Sequence, residues 1–208
     1  MFTLLIILDI LIAYGLGCIS FAYIITKKQL GKDIRTMGSG NAGFTNAMRV
    51  LPKKWGILVF VLDVLKGALA VVIGRLLLDD PGAALALLFV IIGHSYPFQM
   101  QFRGGKGIAA GFGATCAFDW RMGLILLIAF MIVLLITNYV SAGSVAGGLA
   151  LAVSGLCYHW NSIYVAAFII AAVVVIYKHK PNIIRIARGE ESKVFKNRKW
   201  NPLERGKK

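Results

Sequence analysis

The sequence predicts an all-α integral membrane protein of about seven transmembrane helices, and three observations carry that expectation. Hydrophobic residues make up 58% of the 208-residue chain, and mean hydropathy is +0.75, above the level of a soluble domain. Those residues gather in long apolar runs divided by short polar connections. The basic residues, 23 Lys and Arg against 9 Asp and Glu, concentrate in alternate connections.

The first apolar run, 2–26, exceeds the ~20 residues a helix needs to cross a bilayer. No basic segment precedes it, and it is too long for the apolar part of a cleaved signal peptide. The later runs are 55–78, 82–93, 107–118, 122–139, 145–157 and 162–177. The third, fourth and sixth are short, about 18 Å each at helical rise against a hydrocarbon core of ~30 Å. They are expected to extend into polar flanks or to meet loops dipping below the membrane surface. No linker or repeat divides residues 1–208, so a single domain is expected, with a basic tail at 178–208.

Seven crossings place the termini on opposite sides. Twenty of the 23 basic residues fall in 27–54, 94–107 and the tail. The intervening connections carry Arg75 and Arg121, accompanied by Asp79, Asp80 and Asp119. The positive-inside rule then sets the N-terminus outside and the tail in the cytoplasm. Cys18, Cys116 and Cys157 each lie in an apolar run without close spacing, and are expected to be small core hydrophobes.

Three polar islands fall on the cytoplasmic side. The first, Gly38–Arg49 (GSGNAGFTNAMR), contains a formal GxGxxG, but no strand precedes it and no βαβ unit follows, so it is no dinucleotide fingerprint. Its Ser39, Asn41, Thr45 and Asn46 are donors on a backbone that glycine lets approach closely, and Arg49 can hold a phosphate bidentately. The second runs from His94 through Arg103-Gly104-Gly105-Lys106-Gly107. Glycines turn backbone N–H groups toward one point, a following helix adds partial positive charge, and Arg103 and Lys106 add full charges. This is not a Walker loop, because Gly107 stands where a Ser or Thr would hold magnesium. In the third island His179, Asn182 and Arg185 recur at helical spacing, and Pro181 suits a first helical turn. A basic tail also attracts anionic lipid, about 1 kcal/mol per cation.

Two polar placements lie within apolar runs. Asp63 and Lys66 are three apart, on one helical face. A charge in mid-membrane costs about 3 kcal/mol, so a pair or a functional lining is expected. Ser141 and Ser144 flank Gly143 near the end of the fifth run, where small residues either close helix contacts or line a site.

Taken together, these islands resemble the bacterial acyl-phosphate-dependent glycerol-3-phosphate acyltransferase family. The resemblance rests on GSGNAGFTNAMR at 38–49, GHSYP at 93–97 with FRGGKG at 102–107, and HKPNIIR at 179–185 with GEESK at 189–193. It extends to DVLKG at 63–67 and SAGS at 141–144. Gln99 departs from it, since an aromatic is expected there. The resemblance implies transfer of a fatty acyl group from acyl phosphate to the 1-hydroxyl of glycerol 3-phosphate, giving lysophosphatidic acid in the bacterial inner membrane. It further implies that Ser39, Arg49, His179 and Asn182 are catalytic. Asn41, Thr45, Asn46, Arg103, Gly104, Gly105, Lys106 and Gly107 would bind substrate phosphate. Asp63, Lys66, His94, Ser141, Ser144, Arg185 and Glu191 would line the site.

An acyl phosphate is already activated, so the protein's task is to hold two anions together and stabilise the departing phosphate. Three candidates remain for accepting the hydroxyl proton: His94, His179 and a substrate phosphate. None of His94, His159 and His179 is followed by Asp after four intervening residues, the arrangement of the soluble-type acyltransferases. No Asp/Glu/His cluster suggests a metal, and no cofactor, nucleic acid or obligate protein partner is expected. Anionic lipid is the expected surrounding partner. The rival reading is a transporter of a phosphorylated solute, since broken helices and midplane charges mark transporters too.

Overall fold

The structure is a computed structural model and describes residues 1–158 and 162–194. The connection holding His159 and the basic tail from 195 onward lie outside the described residues. Among those described, every regular element is helical, and all seven apolar runs are helices or helix arms.

α1 (Phe2–Cys18) and α2 (Phe21–Leu30) divide what the sequence reads as one span. Ile19 is extended, and Ser20 caps α2 by accepting from Tyr23 N. The carbonyls freed at the break need donors. Lys66 Nζ supplies them to Gly17 O at 3.1 Å and Ile19 O at 2.6 Å, and Gln99 Nε2 to Cys18 O at 2.5 Å. Gln99 therefore supports the end of α1 and forms no part of an acyl-binding surface.

After the short α3 (Phe44–Val50), α4 runs from Lys53 to Ser95 and doubles back at Leu78 and Asp79. Asp79 has φ +54°, and Pro81, lacking an N–H, suits the first turn of the returning arm. The arms meet at Gly74 and Gly82, where a methyl group on either would strike the other's carbonyl oxygen. The first arm meets α5 (Ile108–Phe118) in the same way, through Gly67 against Ala110 O and Gly113 against Val64 O. In a bilayer such close backbone packing holds helices together, because lipid is as apolar as the helix faces.

α6 (Trp120–Thr137) pairs with α7 (Val140–Tyr158), and α8 (Ser162–Lys178) closes against α4 and α7. The core between them is fully buried at Leu87, Ile91, Met122 and Phe168. The sixth run is longer than expected, because α7 takes in Val140–Ser144 after the left-handed turn at Asn138. Ser141 and Ser144 thus open α7 rather than close the fifth run. Four helical stretches are long and apolar enough to cross a membrane, five if α8 and α9 (Lys180–Ala187), bent by 50°, count as one. α5, at 11 residues, is too short to cross alone. Among the cysteines Cys18 is buried, but Cys157 is exposed on α7, contrary to a core role.

Candidate active site

The three islands converge at one end of the bundle. In the first, Asp33 caps the turn Ile34–Thr36, and Arg35 clasps Asp33 at 2.7 Å while donating to Met100 O at 2.8 Å. That contact ties the first island to the second. Asn46, fully buried, accepts from Ser39 N at 2.8 Å and donates to Ile34 O and Met37 O. Its amide is committed to holding the loop, so Asn46 shapes the wall and has no donor to spare for a phosphate. Ser39, Asn41, Thr45 and Arg49 stand around it on the cavity side. Arg49 has no polar partner among the described residues.

The second island turns after Pro97, through Gln101 and Phe102 at φ +55° and +58°. Gly105 N donates to His94 O at 3.0 Å and Gly104 N to Ser95 O at 3.3 Å. Gly107, at φ +81°, opens α5. Lys106 projects into the cavity and donates to Asn182 Oδ1. Burial pushes its ammonium down to about 8, with Glu191 opposing the shift and nearby cations adding to it. Arg103 is exposed and stands off the cavity wall, and Gly104 and Gly105 lie buried behind it.

The third island forms the break between α8 and α9. His179 sits at the N-cap of α9, and its Nδ1 lies 2.8 Å from Val175 O. A carbonyl only accepts, so Nδ1 carries the proton and Nε2 is the ring's free position. Asn182 is buried and donates from Nδ2 to Glu191 Oε1 at 2.6 Å. Glu191 also accepts from Ser141 at 2.8 Å and Arg185 at 2.8 Å. Burial alone would raise its carboxyl, but these hydrogen bonds hold it below the ordinary value. Glu191 thus locks α7 to α9 and orients Asn182 toward Lys106. Ser144 bonds to Val140 O within its own helix.

The enclosed cavity is about 270 Å³. It gathers Ser39, Asn41, Thr45, Asn46, Arg49, Lys106, Gly107, His179, Asn182 and Glu191 of the sequence-derived set, with Asp63, His94, Ser141 and Ser144 at its wall. Lys66 and Arg185 act from behind it, on Asp63 and Glu191. An almost wholly apolar groove of about 140 Å³ adjoins it along α5, α6 and α7. The two share Phe60, Gly107, Ile108, Ala109, Phe130 and Ser144. Sequence reasoning missed Phe44, Phe60 and Phe130, because an aromatic within an apolar run gives no sign of the face it occupies. A cationic chamber opening onto an apolar groove suits an amphiphile with a phosphate near its head.

Residues 7–189 match the sequence profile of the family described as Glycerol-3-phosphate acyltransferase. The chain is 44% identical over 189 residues to a glycerol-3-phosphate acyltransferase of Thermoanaerobacter sp. (strain X514), covering 90% of this chain and 95% of the relative. It is 41% identical over 194 residues to one of Finegoldia magna, covering 93% and 98%. A crystal structure described as PlsY (YgiH), an integral membrane glycerol 3-phosphate acyltransferase in its glycerol 3-phosphate form, superposes with TM-score 0.86 at 31% identity, covering 91% of this chain and 96% of that one. The lysophosphatidic acid form superposes with TM-score 0.81 at 30% identity.

Proposed function

Because this chain belongs to the glycerol-3-phosphate acyltransferase family, we propose that it moves a fatty acyl group from acyl phosphate to the 1-hydroxyl of glycerol 3-phosphate. The products are lysophosphatidic acid and inorganic phosphate. The observation that carries this reading is the junction of the two spaces. Arg49 and Lys106 face a chamber that continues, through Ile108, Ala109 and Phe130, into an apolar groove. An acyl phosphate laid across that junction would place its tail in the groove and its reacting carbonyl beside both cations.

Both substrates are phosphates, and bringing them together costs electrostatic repulsion. Arg49 and Lys106 offset it, and they stabilise the phosphate as it leaves. The glycerol oxygen attacks the acyl carbon, the bond from that carbon to the phosphate oxygen breaks, and the bonding pair leaves with the phosphate. The hydroxyl proton goes to Nε2 of His179 or to a phosphate oxygen. Ser39 would donate to a substrate oxygen, and Asn182 would hold Lys106 in place between turnovers.

The site belongs on the cytoplasmic side of a bacterial inner membrane, where the basic connections gather, with anionic lipid around the tail. All 208 residues act as one domain. Purified protein given acyl phosphate and glycerol 3-phosphate is expected to release lysophosphatidic acid, with or without EDTA. Turnover with acyl-CoA or acyl carrier protein thioester but not acyl phosphate would overturn the choice of donor.

A further inference from the structure

Asp63, Lys66 and His94 are buried at the membrane-side wall of the cavity, with 1%, 4% and 6% exposure. Asp63 Oδ1 lies 2.9 Å from Lys66 Nζ and 3.6 Å from His94 Nδ1. They come from different segments: Asp63 and Lys66 from the first arm of α4, His94 from the last turn of the second. Lys66 also donates to the carbonyls that end α1. Four pieces of chain are therefore fastened at one point once the contacts of His94 are added.

Those contacts lie on the phosphate loop. His94 O accepts from Gly105 N. The opposite edge of the ring lies against the same residue, since a methyl group on Gly105 would fall on Nε2 and within 2.8 Å of Ala42 O. Main chain and side chain of His94 thus both hold the turn that precedes Lys106, with Ala42 of the first island beside it. A general base needs its lone pair open to the substrate hydroxyl. Here the edge bearing Nε2 is covered by glycine backbone, while Nδ1 faces Asp63.

We infer that Asp63, Lys66 and His94 form a positioning cluster that sets where Lys106 stands, and that His94 is a positioning residue rather than the proton acceptor. The inference rests on the reading of Lys106 as a holder of substrate phosphate.

The test uses the full chain with His94→Ala, His94→Asn and Lys106→Ala, each assayed over both substrates and across pH. The Asn amide nitrogen stands near the place of Nδ1 and keeps a donor toward Asp63. His94→Ala is expected to raise KM for at least one phosphate substrate about tenfold, with kcat within about threefold, since the ammonium is displaced and not removed. His94→Asn should recover most of that loss, and the pH profile should keep its shape in both. If His94→Ala does not fold, the comparison of His94→Asn with wild type decides: a KM change with kcat kept supports positioning. A hundredfold fall in kcat in either variant, with loss of the acid limb, would make His94 the base and overturn the inference. KM unchanged in His94→Ala but raised in Lys106→Ala would overturn it while leaving the phosphate reading intact. KM unchanged in both would remove the phosphate reading and the inference with it.

Discussion

Lys106 and Asn182, 76 residues apart in sequence, meet directly: the ammonium donates to the amide oxygen, and the same amide donates to Glu191 at 2.6 Å. The free site thus stores the lysine charge on a neutral partner instead of cancelling it against the carboxylate. An incoming phosphate then replaces an amide oxygen, a weaker competitor for the ammonium than a carboxylate would be.

That arrangement sets a pH dependence. Burial brings Lys106 down to about 8, so the cation is fully present below that pH and is lost as pH rises through it. KM for the phosphate substrate it holds should climb about tenfold per unit above pH 8, while kcat, measured with phosphate bound and the ammonium stabilised, stays flatter. Lys106→Arg should abolish the limb, because guanidinium stays charged throughout. A limb unmoved in Lys106→Arg would assign it to another group.

Glu191→Gln should move the same limb the other way. Its carboxylate raises the Lys106 ammonium, so neutralising it should bring the loss to lower pH. The variant also gives up the charge-assisted bonds to Asn182, Arg185 and Ser141, each worth about 1.5–3 kcal/mol. A fall in kcat/KM of about tenfold or more is expected in steady-state assays.

Arg49→Ala should reduce kcat/KM roughly tenfold to a hundredfold, taking about 1.5–3 kcal/mol for the lost contact and 1.4 kcal/mol per decade. Arg49→Lys should recover only part, since a point charge does not reproduce the guanidinium fork. Lys27→Ala, an equal charge on the exposed end of α2, should be nearly silent. Equal losses at positions 27 and 49 would reduce the cations to a diffuse field.

Removing one member of the Asp63–Lys66 pair, 2.9 Å apart and buried, leaves an uncompensated charge, a change worth about 3–5 kcal/mol. Asp63→Asn with Lys66→Met together should destabilise less than the summed single variants. Additive losses in a thermal double-mutant cycle would mean that the two are not coupled.

Reporter fusions after Lys208 and within 79–81 should give opposite signals, the former cytoplasmic. Identical signals would remove an odd number of crossings from the topology.

Much of this architecture was legible because lipid simplifies the code. Seven apolar runs had to become helices, since no other open structure satisfies its backbone in hydrocarbon. The polar islands announced themselves against that background, and Arg49, Lys106, His179 and Asn182 do share one chamber. Periodicity failed where a side chain serves another segment's backbone. Nothing local says that Asn46 staples the first island or that Gln99 closes α1, because their partners are carbonyls, which every residue has. Arg103 and Lys106 look alike in sequence, yet the turn at Gln101 and Phe102 leaves one in solvent and the other inside. The break at Ile19 was invisible for a similar reason: its carbonyls are satisfied by Lys66 and Gln99 from far along the chain.

The doubling-back of α4 at Leu78 and Asp79 has a reach that its place in the fold conceals. Asp63 and His94 occupy its two arms and meet 3.6 Å apart, at the end of the hairpin remote from the turn. With both arms rigid and pressed together at Gly74 and Gly82, the turn acts as the register stop for that meeting. One residue inserted beside Asp79 would rotate an arm by about 100° and carry His94 off Asp63. A connection that touches no substrate thereby fixes the alignment of the chamber wall from the opposite end of the bundle, much as a hinge pin fixes where two blades close.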